Sequence, residues 1–342
     1  MEIMGKNKII IIAEAGVNHN GDIALAKELI DVAEEAGADF VKFQTAKLSS
    51  LVTGSAPMAE YQAQNIGREE SQKSMLGKLL LPYESFRELH VYCQGKKVQF
   101  LSTPFDLESI AFLLELEMPF WKIPSGEITN YPYLAVIGKT KKPVVLSTGM
   151  AEMEEIKEAM DLLRMNGCEE IIVLHCHTDY PTSMEYVNLR AMESLRKDLG
   201  VAVGYSDHTI GIEVPIAAAA CGAVVIEKHF TLDKNMEGPD HKCSLEPQEL
   251  KEMVRCIRNI ELAMGDGRKT PSESELRNRC AARKSIVCSS SVAKGERFTE
   301  ENITTKRPGT GISPMEWTRV IGKKSNRDYQ FDELVDGCIL DE

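Results

Sequence analysis

Short apolar runs alternate with longer segments of helical periodicity from residue 8 to about residue 264. This alternation is typical of βα units around a parallel sheet, in which the strands are buried on both faces and helices cover them. The apolar runs predict eight strands, at residues 9–14, 39–44, 99–103, 120–124, 143–147, 171–175, 201–206 and 224–229. Eight such units within about 265 residues match the (β/α)₈ TIM barrel, an α/β fold.

Three segments fall outside this pattern. Residues 49–80 are rich in Gln, Ser and Gly and predict a long loop with some local helix, placed to cover the mouth of the barrel. Residues 266–281 are dense in Gly, Pro, Ser and charge, which is typical of a linker. Residues 282–342 have short β-like stretches and predict a small β-rich domain. We therefore expect a catalytic barrel over residues 1–265, the linker, and the small domain.

Polar residues stand at the end of every predicted strand. In chain order they are Glu14; Lys42 and Gln44; Ser102 and Thr103; Lys122, Ser125 and Glu127; Ser147 and Thr148; His175; Ser206, Asp207 and His208; and Glu227, Lys228 and His229. The active sites of TIM barrels lie where the strands end, because the carboxyl ends of all eight strands meet at one mouth. The pattern predicts a ring of functional groups around that mouth.

Charge and cysteine usage narrow the class of protein. The net charge of −12, with no concentrated basic segment, argues against a nucleic-acid partner. The nine cysteines are scattered, form no CxxC pair and follow no signal-peptide pattern, which indicates reduced thiols in the cytoplasm. The longest apolar runs are far shorter than the roughly 20 residues of a membrane span. We expect a cytoplasmic protein without a membrane partner.

His208 and His229 end the seventh and eighth predicted strands. Neighbouring strands lie about 4.8 Å apart, so the two imidazoles could share one divalent ion. Two protein ligands would leave open positions on the ion, as a metal that polarises a substrate carbonyl needs. The alternative is that each histidine is a packed or hydrogen-bonding residue without a metal.

Lys42 and Lys122 lie inside apolar strand segments, where a lysine must point into the mouth or be costly to bury. With the neighbouring hydroxyls they could bind phosphate and carboxylate, and either could instead form the Schiff base of an aldolase.

Four carboxylates, Glu14, Glu127, Glu227 and Asp240, are candidates for acid/base work or sugar binding. For Asp240, which follows Gly238 and Pro239, a role in a turn is an equal alternative. The glycine-bearing segment 16–21, which contains His19, lacks the common nucleotide-binding patterns, and loop shaping by its asparagines is the alternative there.

Taken in order, the motifs of this chain resemble the sialic acid synthase family along nearly its whole length. They are IAEAGVNHNG at residues 12–21, VKFQT at 41–45, STPFD at 102–106, KIPSGE at 122–127, STGM at 147–150, YSDHT at 205–209, EKHFT at 227–231 and GPD at 238–240. Residues 305–313, TKRPGTGIS, resemble the antifreeze-like (SAF) module of the same family.

The resemblance implies that a barrel active site is completed by the SAF domain of a second subunit, in a domain-swapped homodimer. It implies that phosphoenolpyruvate is held by Lys42, Thr103, Lys122, Ser125 and Ser147. His208 and His229 would bind manganese, magnesium or cobalt. The sugar would contact Tyr180, Ser206, Asp240 and Arg307 of the partner subunit, while Glu127 and Glu227, with Glu14, would be the catalytic carboxylates.

The implied activity is a transferase reaction in which phosphoenolpyruvate and water combine with an N-acetylated amino sugar and phosphate is released. N-acetylmannosamine, giving N-acetylneuraminate, is the first expectation, because residues 304–317 resemble sialic acid synthases. The alternative is 2,4-diacetamido-2,4,6-trideoxymannose, giving N,N'-diacetyllegionaminic acid. Thr178 and Ser183 depart from residues common in the family, so sugar contacts there differ. A pyruvate-dependent aldolase and a non-catalytic carbohydrate-binding protein are further alternatives.

Overall fold

Eight parallel strands form the centre of the first of two units, residues 1–265, in a computed structural model that describes residues 8–66 and 71–341. They are β1 (Ile10–Gly16), β2 (Phe40–Thr45), β3 (Gln99–Pro104), β4 (Trp121–Ile123), β5 (Val144–Ser147), β6 (Ile171–Cys176), β7 (Val203–Asp207) and β8 (Val225–His229). Strand β1 pairs with both β2 and β8, and β3 packs beside β4, so the sheet closes on itself. The prediction of a TIM barrel is confirmed.

The helices that alternate with the strands begin and end where local chemistry satisfies their free backbone groups. They are α1 (Ile23–Ala36), α2 (Leu48–Leu51), α3 (Glu60–Ile66), α4 (Gln72–Leu79), α5 (Tyr83–Gln94), α6 (Leu107–Leu114), α7 (Tyr131–Lys139), α8 (Met153–Met165), α9 (Ala191–Leu199), α10 (Glu213–Ala220) and α11 (Pro247–Met264). The side chain of Asp22 accepts from the N–H of Ala24 at the start of α1. Gly37 ends that helix at φ 81°, a left-handed conformation that suits glycine.

The segment predicted as a loop at residues 49–80 contains α2, α3 and α4 in its described part. Ser71 caps α4 by accepting from the N–H of Ser74, and Met75 and Leu79 of α4 pack on Val17 next to the barrel. Residues 67–70 of this segment lie outside the described residues. The local helix expected in this segment is therefore present. Its polar composition did not give the bounds of the helices, because the segment buries few side chains and those it buries, such as Met75 and Leu79, line the cavity.

The second unit, residues 266–342, contains α12 (Glu273–Ala282), β9 (Ser285–Cys288), β10 (Ile303–Lys306) and α13 (Trp317–Val320). Strands β9 and β10 are antiparallel, and the core includes Ile286, Phe298 and Tyr329. Helix α12 lies in the predicted linker. Ser272 and Glu275 form a capping box at its start, which is the sequence signal for a helix in that segment.

None of the helices in the two described ranges combines the length and the apolar character that crossing a membrane requires.

Candidate active site

A cavity of about 490 Å³ lies at the carboxyl ends of the barrel strands. The predicted site residues that line it come from seven of the eight strands and from the loops after β4, β6, β7 and β8: Glu14, Lys42, Thr103, Lys122, Ser125, Ser147, Tyr180, Ser206, His208, Glu227, His229 and Asp240. The structure thus brings together twelve of the fourteen residues singled out from the sequence.

Strand register places the charged residues side by side. In the parallel ladders Glu14 of β1 is opposite Lys42 of β2 and His229 of β8, and Ser206 of β7 is opposite Glu227 of β8. Because side chains alternate along a strand, Glu227 and His229 share a face of β8. That face is the inside of the mouth.

Two lysines and two glutamates form a buried cluster on the floor of the cavity, which we call the floor cluster. Lys42 Nζ lies 2.6 Å from Glu14 Oε2 and 3.7 Å from Glu227 Oε2, and Lys122 Nζ lies 3.4 Å from Glu227 Oε1. None of the four is more than 5% exposed.

Three hydroxyls surround this cluster. Lys42 donates to Thr103 Oγ1 at 3.0 Å, Lys122 donates to Ser147 Oγ at 2.8 Å, and Ser206 donates to Glu227 Oε1 at 2.8 Å.

The environment drives the proton affinities of the floor cluster apart. Burial raises the pKa of Glu14, and the nearby Glu227 adds to this effect, against the attraction of Lys42. Burial alone would also raise the pKa of Glu227, but Lys122 and Lys42 together hold it below its usual value. Burial lowers the pKa of Lys122, while Lys42, between two carboxylates, has a raised pKa despite its burial. Of the two glutamates, Glu14 is therefore the one that holds a proton more readily.

His208 and His229 lie beside each other at the ends of the neighbouring strands β7 and β8, with ring centroids 5.4 Å apart. His208 Nδ1 hydrogen-bonds the backbone carbonyl of His177, which leaves the lone pair on its Nε2. His229 Nδ1 is buried and has no hydrogen-bond partner among the described residues. Burial lowers the pKa of His208 to about 4 and that of His229 well below its usual value, so both imidazoles are neutral at neutral pH.

This pair fits the prediction of a two-histidine metal site, because neutral imidazoles with free lone pairs are the form that binds metal. Within residues 8–66 and 71–341, no group of three or more His, Cys, Asp and Glu side chains is arranged to hold an ion. Substrate or water would have to complete the coordination. The Tyr180 ring lies 4.0 Å from the His208 ring and closes this side of the cavity.

Asp240 lies in a tight loop and also lines the cavity. In this loop a side chain on Gly238 would meet the His241 ring at 2.6 Å. A role of Asp240 in acid/base work or sugar binding stays a prediction. Burial, with a smaller effect of Glu14, raises the pKa of Asp240 to about 7.

Glu127 and Arg307 are not among the described residues that line the cavity. Glu127 ends the short helix Ser125–Glu127, is half-buried and accepts from Asn130 Nδ2 at 2.5 Å. Arg307 belongs to the second unit, where its Nε donates to the carbonyl of Ala282. Its predicted role concerns a partner subunit and stays a prediction.

Gln44, one of the polar strand ends that the sequence placed at the mouth, lines the cavity and donates to Glu14 Oε1 at 3.2 Å. One feature of the site was not predicted from the sequence. It is an apolar wall of the cavity, formed by the 49–80 segment through Leu51, Val52, Met75, Leu76 and Leu79. No local pattern distinguishes such a wall from ordinary helix packing.

The sequence pattern of the NeuB family matches residues 29–269, and that of the SAF domain matches residues 283–335. The chain belongs to the NeuB family. The predicted resemblance, the barrel followed by a SAF domain, and the prediction of an enzyme are confirmed.

Relatives of this NeuB family member extend over nearly its full length. It is 52% identical to the N,N'-diacetyllegionaminic acid synthase of Campylobacter jejuni, over 96% of this chain and 99% of that protein. It is 45% identical to the enzyme of that name from Legionella pneumophila, over 92% of this chain and 89% of that protein. The crystal structure of the N-acetylneuraminic acid synthetase of Leptospira borgpetersenii matches with a TM-score of 0.71 and 32% identity, over 81% of this chain and 93% of that one.

Proposed function

We propose that this chain is an N,N'-diacetyllegionaminic acid synthase, which condenses phosphoenolpyruvate with 2,4-diacetamido-2,4,6-trideoxymannose and water and releases phosphate. The observation that carries the proposal of a phosphoenolpyruvate-dependent synthase is the floor cluster, buried beside a pair of neutral histidines in one cavity. The choice of sugar rests on the two relatives of that name at 52% and 45% identity. They favour the alternative from the sequence over its first expectation, N-acetylmannosamine, which remains the second candidate because the Leptospira synthetase shares 32% identity.

The floor cluster and the hydroxyls around it supply positive charge and hydrogen-bond donors for a substrate with two or three negative charges. Lys42 on β2 and Lys122 on β4 are ammonium donors, and Thr103, Ser147 and Ser125 offer hydroxyls in the same cavity. Such charge-assisted bonds are strong in a site shielded from water. These five residues hold the phosphate and carboxylate of phosphoenolpyruvate.

His208 and His229 would hold a divalent ion, for which manganese, magnesium and cobalt are the candidates. Its chemistry there would be that of a Lewis acid toward the aldehyde oxygen of the open-chain sugar. The neutral state of both imidazoles and the unpartnered His229 Nδ1 support this assignment.

The bonds and protons of the reaction balance without a covalent enzyme intermediate. The methylene carbon of phosphoenolpyruvate forms a bond to the aldehyde carbon, whose oxygen takes up a proton. Water adds to the cationic carbon that bears the phosphate and loses a proton. The bond between that carbon and the phosphate oxygen then breaks, and phosphate leaves with the electron pair. The added hydroxyl oxygen forms the keto C=O and gives its remaining proton to the departing phosphate.

Glu14 and Glu227 divide the proton transfers between them. Glu14, whose pKa is raised by burial and by Glu227, holds the proton delivered to the sugar oxygen. Glu227, whose pKa is lowered by the two lysines against the effect of its burial, stays a carboxylate and stabilises the cationic carbon. Tyr180, Ser206 and Asp240 line the remaining polar wall and contact the sugar. A raised Lys42 pKa disfavours Lys42 as the lysine of the aldolase alternative, because a Schiff-base lysine must attack as the neutral amine. Burial lowers the pKa of Lys122, so the aldolase alternative at Lys122 is tested by trapping with borohydride.

The active enzyme is a cytoplasmic homodimer, in which Arg307 of the partner subunit contacts the sugar. All nine cysteines are free thiols, as a reducing compartment requires. A chain shortened to residues 1–265 should lose sugar turnover; full activity would contradict this part of the proposal.

The test is phosphate release from phosphoenolpyruvate with each sugar, measured with manganese and again with excess EDTA. We expect turnover that depends on metal, with the diacetamido trideoxy sugar preferred. Preference for N-acetylmannosamine would move the assignment to N-acetylneuraminate synthase. Trapping of a lysine by borohydride with pyruvate, together with turnover that EDTA leaves unchanged, would overturn the mechanism.

A further inference from the structure

The loop that carries Asp240 is attached to the barrel on its inner side. Asn18 Nδ2 donates to the carbonyl of Phe230 at 2.8 Å and to Ser244 Oγ at 2.9 Å. Ser244 Oγ in turn donates to the carbonyl of Asp240 at 2.7 Å. These bonds hold the peptide group that follows Asp240.

The peptide group that precedes Asp240 is held from a different element. Asn65, near the end of α3, donates from Nδ2 to the carbonyl of Pro239 at 2.7 Å, and Lys242 Nζ donates to the carbonyl of Asn65 at 2.9 Å. The ring of Pro239 fixes φ but not ψ, so the direction of its carbonyl depends on the hydrogen bond that it accepts. We infer that the bond from Asn65 sets the orientation of the peptide group that precedes Asp240.

Asn65 belongs to the 49–80 segment, which forms the apolar wall of the cavity. Near its start the same segment is attached to α6, where Ser50 Oγ donates to Glu108 Oε1 at 3.1 Å; Lys47, just before the segment, pairs with the same glutamate. The bond from Asn65 reaches the Asp240 loop, and the bond from Ser50 does not. The two attachments are suited to a matched comparison.

We propose that Asn65 is a positioning residue that links the placement of the 49–80 segment to the orientation of the Asp240 carboxyl group. A sugar that contacts Asp240 stabilises the loop, and through Asn65 it stabilises the segment over the cavity; the linkage is reciprocal. Phosphoenolpyruvate, bound on the floor cluster, does not use this link. The inference rests on the proposed function in taking Asp240 as a sugar contact.

The test compares Asn65→Ala with Ser50→Ala in the full-length enzyme. The first removes the bond to the Asp240 loop, and the second removes a bond of the same segment to α6. We expect Asn65→Ala to raise KM for the sugar by about 3- to 10-fold, the value of one hydrogen bond, and to leave KM for phosphoenolpyruvate unchanged. Ser50→Ala should leave both unchanged. Equal effects of the two variants, or equal effects on both substrates, would overturn the inference.

A second readout needs no substrate and keeps the inference separate from the proposed function. Asn65→Asp preserves size but places a carboxylate against the Pro239 carbonyl, so amide hydrogen exchange at residues 236–245 should speed up in this variant and not in Ser50→Ala. Unchanged exchange in Asn65→Asp would contradict the link even if the wild-type enzyme used a different sugar. Wild-type inactivity with both sugars, by contrast, would contradict only the proposed function.

Discussion

Two buried groups of charges on the same barrel differ in how completely they are satisfied. The pair Asp207–Lys228 is fully buried, with 2.5 Å between Lys228 Nζ and Asp207 Oδ2, and Thr209 bonds both partners. The floor cluster is as deeply buried, yet Glu227 Oε2 has no hydrogen-bond partner among the described residues, and the cluster opens on a cavity.

This difference in hydrogen bonding distinguishes a charged pair that stabilises the fold from a charged cluster that can bind a ligand. Buried polar groups are normally satisfied within the protein, so the completed pair acts as part of the fold, whereas the incomplete cluster has room for a ligand. The alternation of side chains along β8 contributes to both groups of charges. Glu227 and His229 point into the mouth, while Lys228 between them points away from it and reaches Asp207.

Lys228→Met tests the structural side of this comparison and should have the largest effect. It leaves the Asp207 carboxylate buried without its cation, which should lower the free energy of unfolding by about 3–5 kcal/mol. Urea unfolding measures the change. The control is Lys27→Met in the exposed pair Lys27–Glu88, for which we expect a loss of less than about 1 kcal/mol. A similar loss in both variants would contradict the comparison.

Lys122→Met tests the functional side. It removes one ammonium group from the floor cluster, so phosphate release should fall by about 10²- to 10³-fold, as when one preorganised donor to a charged centre is removed. The protein should remain folded, because water in the cavity can solvate Glu227. Retained turnover, or unfolding as severe as in Lys228→Met, would show that the two groups of charges do not differ as proposed.

Asp240→Asn extends the comparison to the way in which the free energy of unfolding depends on pH. The folded-state pKa of Asp240, about 7 because of its burial, lies above the unfolded value, so the stability it contributes is fully present below the unfolded pKa and is lost as pH rises through about 7. Between about pH 6 and about pH 8 the wild type should lose roughly 1 kcal/mol relative to Asp240→Asn. Unfolding curves of both proteins at the two pH values measure this. If the free energy of unfolding changed with pH in the same way in both proteins, the titrating group would be a residue other than Asp240.

Glu127→Gln should have the smallest effect. Its carboxylate is bonded to Asn130 and does not line the cavity, so turnover should change by less than about 3-fold, the value of a weak hydrogen bond. Glu227→Gln, assayed in parallel, provides the contrast. A loss in Glu127→Gln comparable to that in Glu227→Gln would restore the catalytic role expected from the sequence.

Much of the barrel could be predicted because parallel strands buried on both faces are continuous apolar runs, and each observed strand lies within two residues of its predicted bounds. The helices at 49–80 and α12 were harder to predict, since few of their side chains are buried and their hydrophobic periodicity is weak. Only the capping residues Ser71 and Ser272 marked where they begin.

The sequence by itself determined the strands, the polar residues at their ends and the membership of the NeuB family, because strand burial and residue order are local properties of the chain. Only the tertiary structure decided which polar residues share the cavity. Side-chain alternation shows that Glu227 and His229 lie on one face of β8 and Lys228 on the other, but the closure of the barrel decides which face is the mouth. The apolar wall and the bond from Asn65 to the Asp240 loop join residues far apart in the chain, and such contacts exist only after the chain has folded.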